Sequence, residues 1–468
     1  MTTTSAPDTP LLPEPSAPGF ATAATVRRRW AVPVVLGALL AVGLAVRVPM
    51  LSERSGDYRA FLLPWYSHLV DAGGLAGLAD SFSNYNTPYL ALLALLTYLP
   101  VDPLVGIKAI SIVFDVVLAG FAYGIVRRVR PASRWSPVLA FGLVLLLPTV
   151  VLNSAWWAQC DSLYTSLCLA SLYFLLRRRT ALACAAFGLA FAFKLQAVFV
   201  LPALLVLLVV DRQRLRGLVL APATFVAALV PAWVAGRGLL SQLAVYPAQV
   251  TNSSGAVGGV AARPGAGLGR GAGGGFGGGG GGGALGDGGG ARGGTESAHS
   301  FTNNAPTWYA WLPADASTTW KWVGLGLAAA VGLALAVWLV ARRRRLAPGE
   351  MLLVAATLSL VVPLLLPEMH ERYFFLGEVL AVLAAFVDRR FLAVAALLQV
   401  ATLSAYWSYL RSTTVLSLEA ASVVALAAAV LATVVLVLRL RPRPRGGRPP
   451  APPAGVPVTG APDTRVRA

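Results

Sequence analysis

The stretch RRRWAVPVVLGALLAVGLAVRV, residues 27–48, decides the fold of this chain. Three arginines precede a run that is apolar apart from Arg47, and as a helix this run is about as long as the hydrocarbon core of a bilayer is thick. It is too long for the core of a signal peptide, and no convincing cleavage site of small residues follows it. We therefore predict that residues 30–50 form an uncleaved first membrane span.

The composition of the whole chain agrees with a membrane protein. Of its 468 residues, 57% are hydrophobic and only 12% are charged, a balance that water-soluble domains do not have. The formal net charge is +18, but the arginines stand in short clusters between apolar runs. Such clusters orient membrane helices and face anionic lipid headgroups, whereas a nucleic-acid groove interleaves basic residues with aromatics. We therefore expect the lipid bilayer as a partner and no nucleic acid.

Further apolar runs predict an all-α, polytopic integral membrane protein with about twelve membrane-spanning helices. The predicted spans are residues 30–50, 104–126, 136–152, 161–176, 181–193, 197–210, 217–235, 320–341, 350–367, 373–387, 391–410 and 416–438. This transmembrane domain covers residues 27–440 and carries a glycine-rich insertion, residues 253–294, which we predict to be a flexible coil. Residues 1–26 and 441–468 are rich in proline, threonine and alanine and are predicted to be disordered tails.

The arginine clusters give the orientation of the chain. With residues 27–29 in the cytoplasm and one crossing per span, the remaining clusters fall on the cytoplasmic side. They are residues 127–130, 177–179, 212–216, 342–345, 389–390 and 439–445. This scheme requires that residues 87–100 do not cross, and we predict interfacial helices in this first outer loop. Both termini are then cytoplasmic, the protein is a multi-pass protein of the cell membrane, and the glycine insertion lies outside.

Polar residues gather at the extracytoplasmic ends of the predicted spans. Ionisable groups near a bilayer are usually paired, face a wet cavity or take part in function. Mixtures of aromatic rings, amides and carboxylates are typical of sugar sites, because rings cover C–H surface while polar groups bond hydroxyls. Five such segments are Gly56-Asp57-Tyr58, Asn84-Tyr85-Asn86-Thr87-Pro88-Tyr89, Asn153-Ser154-Ala155-Trp156-Trp157-Ala158-Gln159-Cys160-Asp161-Ser162, Lys194-Leu195-Gln196 and Met369-His370-Glu371-Arg372-Tyr373-Phe374-Phe375. We predict that they meet in one cavity at the outer leaflet.

With these motifs in this order over residues 27–440, the glycine insertion excepted, the chain resembles a family of bacterial mannosyltransferases. These are the enzymes related to GPI-anchor mannosyltransferase II, within the polyprenyl-phosphate-sugar-dependent GT-C superfamily. The family usually has Trp-Gly-Gln where this chain has Trp157-Ala158-Gln159. The resemblance implies a GT-C-like fold and transfer of mannose, with inversion, from a polyprenyl phosphate donor to an extracytoplasmic glycan or glycolipid.

The resemblance also implies an acidic catalytic base in the first outer loop, which falls on Asp57, with Glu53 as the weaker candidate. Attack of a hydroxyl on an anomeric carbon needs a base and a stabilised phosphate leaving group. The candidate donor-phosphate ligands are Lys194, His370 and Arg372. The candidates for sugar or acceptor binding are Tyr85, Asn86, Asn153, Trp157, Gln159, Asp161 and Glu371.

These residues also have purely structural interpretations. Asp57 would be a solvated loop carboxylate or an ion-pair partner of Arg54 or Arg59, because most exposed charges have no function beyond such pairing. His370 and Arg372 as an interfacial anchor would pair with neighbouring glutamates, and tryptophans would belong to the aromatic belt. Lys108 and Asp115, seven residues apart in one predicted span, would form a buried structural pair.

Two questions of function stay open at this point. A secondary transporter or flippase of envelope precursors would have ionisable groups near mid-bilayer, and a non-catalytic scaffold would bind glycan without turning it over. Asp57, His370 and Glu371 are residue types that bind metals, but nothing in their spacing demands a metal site. We assign no metal site and no cofactor, since the lipid-linked sugar is a substrate, and the sequence leaves both the metal requirement and the oligomeric state open.

Overall fold

The computed structural model describes residues 23–252, 301–313, 316–342 and 345–441. The predicted glycine insertion and nearly all of both predicted tails lie outside these residues, and the first helix begins at Ala23. The α-helices are α1 (Ala23–Arg47), α2 (Leu63–Asp71), α3 (Thr87–Leu96), α4 (Pro103–Val129), α5 (Ser136–Leu145), α6 (Pro148–Val151), α7 (Asp161–Leu176), α8 (Thr180–Phe193), α9 (Leu201–Val210), α10 (Leu220–Ala228), α11 (Val230–Ala235), α12 (Leu239–Leu243), α13 (Val245–Asn252), α14 (Thr319–Ala341), α15 (Pro348–Leu365), α16 (Phe375–Ala384), α17 (Phe391–Arg411) and α18 (Leu418–Leu440). Strands β1 (Thr302–Asn303) and β2 (Met369–His370) form a parallel pair.

The protein is an all-α polytopic membrane protein, as predicted. Among the described residues, seven helices are long and apolar enough to cross a bilayer, and an eighth crossing is possible through the bent pair Ser136–Leu145 and Pro148–Trp156. All twelve predicted spans are helical, but Asp161–Leu176, Thr180–Phe193, Leu195–Val210 and Phe375–Ala384 are shorter than a full span. The prediction of about twelve crossings is therefore not confirmed by helix length.

The segment between α1 and α4, which we predicted as the first outer loop, contains a short apolar helix where the predicted orientation requires one that does not cross. α3 has ten residues, which at 1.5 Å per residue is about 15 Å and half of the hydrocarbon thickness. It packs with α2 and the start of α4 over a separate hydrophobic cluster that includes Leu69, Leu93 and Ile107. The segment is therefore packed into a hydrophobic cluster of its own together with the start of α4.

The main hydrophobic core lies among α4, α5, α7, α8, α9 and the last four helices. A close approach within the bundle occurs where α8 crosses α10. Gly188 packs there against the backbone of Ala221 and the side chain of Thr224, and a β-carbon on Gly188 would overlap both. Glycine at this position lets the two backbones approach, as small residues do at membrane helix crossings.

The predicted pair of Lys108 with Asp115 is wrong. Lys108 Nζ donates to the carbonyl oxygens of Met50, Leu51 and Glu53 at 2.7, 3.2 and 2.6 Å, and so holds the end of the first span. Asp115 instead pairs with Arg47, whose Nη2 lies 2.7 Å from Asp115 Oδ2. Seven residues of helix separate the two side chains along α4 by about 10 Å, so each takes a nearer partner from another segment.

Candidate active site

Asp57 lies at the centre of a polar cluster, in the segment that connects α1 to α2. Asp57 directly precedes a π-helical turn, Tyr58–Leu62, and is 7% exposed. Its Oδ2 accepts a hydrogen bond from Trp157 Nε1 at 3.0 Å and another from Gln159 Nε2. Its Oδ1 accepts from the hydroxyl of Tyr409. The carboxylate is thus buried and held by three donors.

The ion-pair partner of Asp57 is Arg372, rather than Arg54 or Arg59 as the structural interpretation expected. Arg372 Nη1 lies 3.7 Å from Asp57 Oδ2 and 3.1 Å from Glu371 Oε1. Its guanidinium carbon lies 5.2 Å from the centre of the Trp157 ring, within the range of a cation–π contact. Arg372 Nε is buried and has no hydrogen-bond partner among the described residues. One donor of this arginine is therefore uncommitted beside the candidate base.

Glu371 and His370 differ in their electrostatic state. Burial raises the pKa of Glu371 to about 7, although the positive charge of Arg372 acts in the opposite direction. Burial lowers the pKa of His370 well below its usual value, and the charges of Arg372 and Lys194 lower it further. His370 is therefore neutral at pH 7, so it can offer one ring N–H to a phosphate but no positive charge. This differs from the charge-assisted contact that the sequence suggested.

A second charged pair lies next to the first cluster. Lys194 Nζ forms a buried ion pair with Asp161 Oδ1, and Asn153 Nδ2 donates to Asp161 Oδ2 at 2.7 Å. Lys194 has an extended backbone conformation and separates α8 from the 3₁₀ turn Leu195–Val200. Its side chain is buried. Asp161 is the first residue of α7, a position where the helix dipole favours an acidic side chain.

Gln159 and Tyr85 connect the two clusters. Gln159 donates to Asp57, and its Oε1 lies 3.4 Å from the hydroxyl of Tyr85. The ring of Tyr85 in turn lies 5.3 Å from Lys194 Nζ. The structure therefore joins all five sequence segments in one network, through Asp57, Tyr85, the loop of residues 153–161, Lys194 and Arg372.

Two of the predicted site residues, Asn86 and His370, make contacts outside the two charged clusters. Asn86 is the N-cap of α3, where its Oδ1 accepts from the backbone N–H of Thr87 at 3.2 Å, and its Nδ2 is buried without a hydrogen-bond partner among the described residues. His370 lies in β2 beside Asn303 of β1, and its ring contacts that of Tyr373. Neither side chain is hydrogen-bonded to Asp57 or Asp161.

Several residues that hold the site were not predicted from the sequence. Tyr409 bonds Asp57 and stacks on Trp157 with ring centres 4.7 Å apart. Ser55 donates to the backbone carbonyl of Trp157 at 2.6 Å and ties the first outer loop to the second. The aromatic run Tyr406-Trp407-Ser408-Tyr409 was a detectable signal, but at the end of a predicted span it looks like an aromatic belt.

Asp115 supports the second outer loop from below. It accepts hydrogen bonds from Ser154 Oγ at 2.6 Å and from Ser162 Oγ, in addition to Arg47. Ser154 follows Asn153 and Ser162 follows Asp161, so one buried carboxylate anchors the chain next to both residues of the second cluster. Among the described residues, no group of three or more histidines, cysteines or carboxylates is placed to hold a metal ion.

Comparison with known proteins finds one family match for part of the chain. The chain matches the model of Glycosyltransferase family 87 over residues 82–273. The matched segment contains Tyr85, Trp157, Gln159, Asp161 and Lys194, but not Asp57 or Arg372. No curated protein matches the chain. Together with the membrane helices, the family match indicates a membrane glycosyltransferase whose substrates are a sugar donor and an acceptor, and it favours an enzyme over a transporter or a scaffold.

Proposed function

We propose that this protein transfers mannose from a polyprenyl phosphate donor to a glycan or glycolipid acceptor on the extracytoplasmic face of the membrane, with Asp57 as the catalytic base. The observation that carries the proposal is the buried carboxylate of Asp57, held by three donors and 3.7 Å from the guanidinium of Arg372. A base and a phosphate-binding cation side by side are what glycosyl transfer from a phosphate ester needs.

The reaction is a substitution at the anomeric carbon. The acceptor oxygen forms a bond to this carbon, the bond from the carbon to the phosphate oxygen breaks, and its electron pair leaves with the phosphate. The proton of the acceptor hydroxyl goes to Asp57. Oδ1 of Asp57 accepts one hydrogen bond, from Tyr409, among the described residues, and a carboxylate oxygen has two lone pairs. One acceptor position therefore remains for the substrate hydroxyl.

The leaving phosphate gains negative charge, which nearby cations would stabilise. Arg372 offers its unpartnered Nε, and Lys194 offers a second positive charge on the other side of Gln159. His370 adds a neutral N–H donor. Charge-assisted hydrogen bonds of this kind are about twice as strong as neutral ones. Asp57, Arg372 and Lys194 belong to one contact network, in which Arg372 lies beside Asp57 and Lys194 is linked to it through Gln159 and Tyr85.

Sugar hydroxyls would be held by the residues that already exchange hydrogen bonds around Asp161 and Glu371. Asn153, Asp161 and Gln159 supply amide and carboxylate groups, and the rings of Trp157 and Tyr85 supply the apolar surface. Asn86 caps α3 through its Oδ1, while its Nδ2 is buried without a hydrogen-bond partner among the described residues, so Asn86 remains among the proposed sugar or acceptor contacts.

The proposed location on the extracytoplasmic face is supported by α7 and α8. α7 begins at the site residue Asp161 and is followed by Arg177, whereas α8 is preceded by Arg179 and followed by the site residue Lys194. The sixteen residues of α7 measure about 24 Å. The site and the arginine cluster therefore lie at opposite ends of both helices, and the positive-inside rule puts the arginines in the cytoplasm.

The test is the isosteric variant Asp57→Asn in the purified full-length protein reconstituted in liposomes. With polyprenyl phosphate mannose and extracted envelope glycolipid as substrates, we expect the rate of transfer to fall by roughly 10²- to 10⁴-fold, as when a general base is lost. Asp71→Asn is the matched control, because Asp71 ends α2 in the same outer loop and is exposed. A rate for Asp57→Asn within threefold of the control would refute Asp57 as the base. Activity of the wild type with other lipid-linked sugars but not with mannose would refute the choice of sugar alone.

A further inference from the structure

A second positively charged feature lies at the opposite end of α7 and α8 from the candidate active site. The connections from α7 to α8 and from α9 to α10 enclose an open cavity of about 980 Å³. Five arginines line it: Arg178, Arg179, Arg212, Arg214 and Arg216. No residue of the candidate active site is among its lining residues.

Most of this positive charge is uncompensated. Arg178 is paired with Asp211 at 2.6 Å. Arg179, Arg212, Arg214 and Arg216 are exposed and make no ion pair or side-chain hydrogen bond within the part of the chain that the structure describes. Four guanidinium groups around one cavity create a strong positive potential, and each can bond phosphate oxygens in a bidentate manner.

The frame that carries these arginines is fixed by buried hydrogen bonds. Gln213 accepts from Thr180 Oγ1 at 2.8 Å and donates to the carbonyl oxygen of Leu175 at 3.1 Å. Gln213 also donates to Asp211 at 3.0 Å, which links the ion pair of Arg178 to the same network. The two connections are therefore tied to each other, and the arginines project from a built cavity.

The cavity also has an apolar side. Leu182 and Val219 line it and are 44% and 66% exposed. Inorganic phosphate would gain nothing from such neighbours, whereas a phospholipid would place its headgroup against the arginines and its acyl chains along apolar side chains at the starts of α8 and α10. α8 also begins without a side-chain cap at Arg179, which leaves backbone N–H groups beside the cavity for an additional anion contact.

We propose that this cavity binds the phosphate headgroup of an anionic membrane phospholipid. The site is distinct from the proposed catalytic site, because the length of α7 separates the two. The lipid would belong to the leaflet on the side of the arginine clusters. The arginines and the apolar rim together favour anionic lipids over zwitterionic ones.

The test compares lipid binding to the full-length protein in detergent, measured by native mass spectrometry with phosphatidylglycerol and with phosphatidylcholine. We expect wild-type protein to bind phosphatidylglycerol at least tenfold more tightly. The variant R214Q/R216Q should lose roughly thirtyfold in affinity for phosphatidylglycerol and little for phosphatidylcholine, from the contribution of about 1 kcal/mol per arginine.

The matched control is R127Q/R128Q. Arg127 and Arg128 lie in the last turn of α4, in another of the predicted cytoplasmic arginine clusters. Both are exposed, and neither lines the cavity. Equal losses in the two variants would overturn the proposal, because they would show general attraction between surface arginines and anionic lipid. Displacement of phosphatidylglycerol by millimolar inorganic phosphate, or binding of phosphate alone, would overturn the choice of a lipid in favour of a free phosphate. Thermal unfolding of both variants checks that they are folded.

Discussion

Removal of the carboxylate of Asp115 tests the interpretation of the buried polar network beneath the active site. Arg47 and Asp115 are 1% and 0% exposed, and Arg47 Nε and Nη2 lie 3.0 and 2.7 Å from Asp115 Oδ2. The substitution Asp115→Leu leaves the guanidinium of Arg47 buried without a counter-charge, although it keeps its bonds to the carbonyl oxygens of Gly43 and Leu145. A buried pair broken on one side destabilises a protein by about 3–5 kcal/mol.

The hydroxyl partners of Asp115 add to this loss unequally. Ser154 Oγ also lies 3.1 Å from the carbonyl oxygen of Val150, so it retains an acceptor, whereas Asp115 is the acceptor that the structure shows for Ser162. An unsatisfied buried hydroxyl adds about 1 kcal/mol or more. We therefore expect Asp115→Leu to lower the free energy of unfolding by about 4–6 kcal/mol.

The double variant Arg47→Met/Asp115→Leu separates the charge from the packing. Replacement of both members of a buried ion pair by apolar residues is often neutral or stabilising. We expect the double variant to be more stable than Asp115→Leu alone, with a coupling energy of about 3 kcal/mol. The stabilities of Arg47→Met, Asp115→Leu and the double variant are measured by reversible unfolding in mixed micelles with increasing dodecyl sulfate, followed by tryptophan fluorescence. Additive losses from the two single substitutions would refute the reasoning, because they would mean that the two residues do not depend on each other.

The same double variant also tests a link between this network and catalysis. We expect it to fold, but it lacks the acceptor that anchors Ser154 and Ser162, which directly follow the site residues Asn153 and Asp161. A displacement of about 1 Å in a catalytic constellation can reduce a rate by about a hundredfold. We expect the turnover number of the stable double variant to fall by tenfold or more, with the Michaelis constant less affected.

Two further predictions concern the pH dependence of stability and the packing of the helices. Because burial raises the pKa of Glu371 to about 7 from 4.5, the folded state keeps a proton that the unfolded state releases between these values. Stability should therefore decline as the pH rises from about 4.5 to about 7, and this part of the decline should vanish in Glu371→Gln when unfolding is measured across that range. Gly188→Ala should destabilise the protein by about 1–3 kcal/mol, because the added methyl overlaps the backbone of Ala221. The control Gly120→Ala meets nothing within 4 Å and should stabilise by about 0.5–1 kcal/mol, so equal effects in thermal unfolding would contradict the packing argument.

The sequence predicted the helices well because apolar runs are read directly from the chain. Each of the twelve predicted spans is helical, and a short helix is present at residues 87–96, where the orientation scheme requires one that does not cross. The number of crossings was less predictable, because α5 and α6 are bent by 47° at Leu146 and Leu147 and α7 and α8 are only sixteen and fourteen residues long. Hydrophobicity gives the composition of a helix but not whether it ends within the bilayer.

The gathering of the five polar segments was also predictable, because the orientation scheme placed all of them at the same membrane face. The individual pairings were not. Arg47 lies inside the stretch that decides the fold, and its partner Asp115 is 68 positions away, so neither residue carries a sign of the other. Tyr409 likewise looks like one member of an aromatic belt until the structure places its hydroxyl on Asp57.

Ala158 adopts a backbone conformation that glycine usually provides, in the turn between two residues that hold Asp57. Its φ is +65°, in the left-handed region that glycine favours, and an alanine there costs about 1–2 kcal/mol. Its methyl group is fully buried, which contributes about 0.8 kcal/mol, and alanine also loses about 0.5–1 kcal/mol less than glycine in backbone entropy on folding. These contributions nearly offset the strain, so the turn holds with alanine as it would with glycine. Trp157 and Gln159, on either side of it, therefore still reach the same oxygen of Asp57.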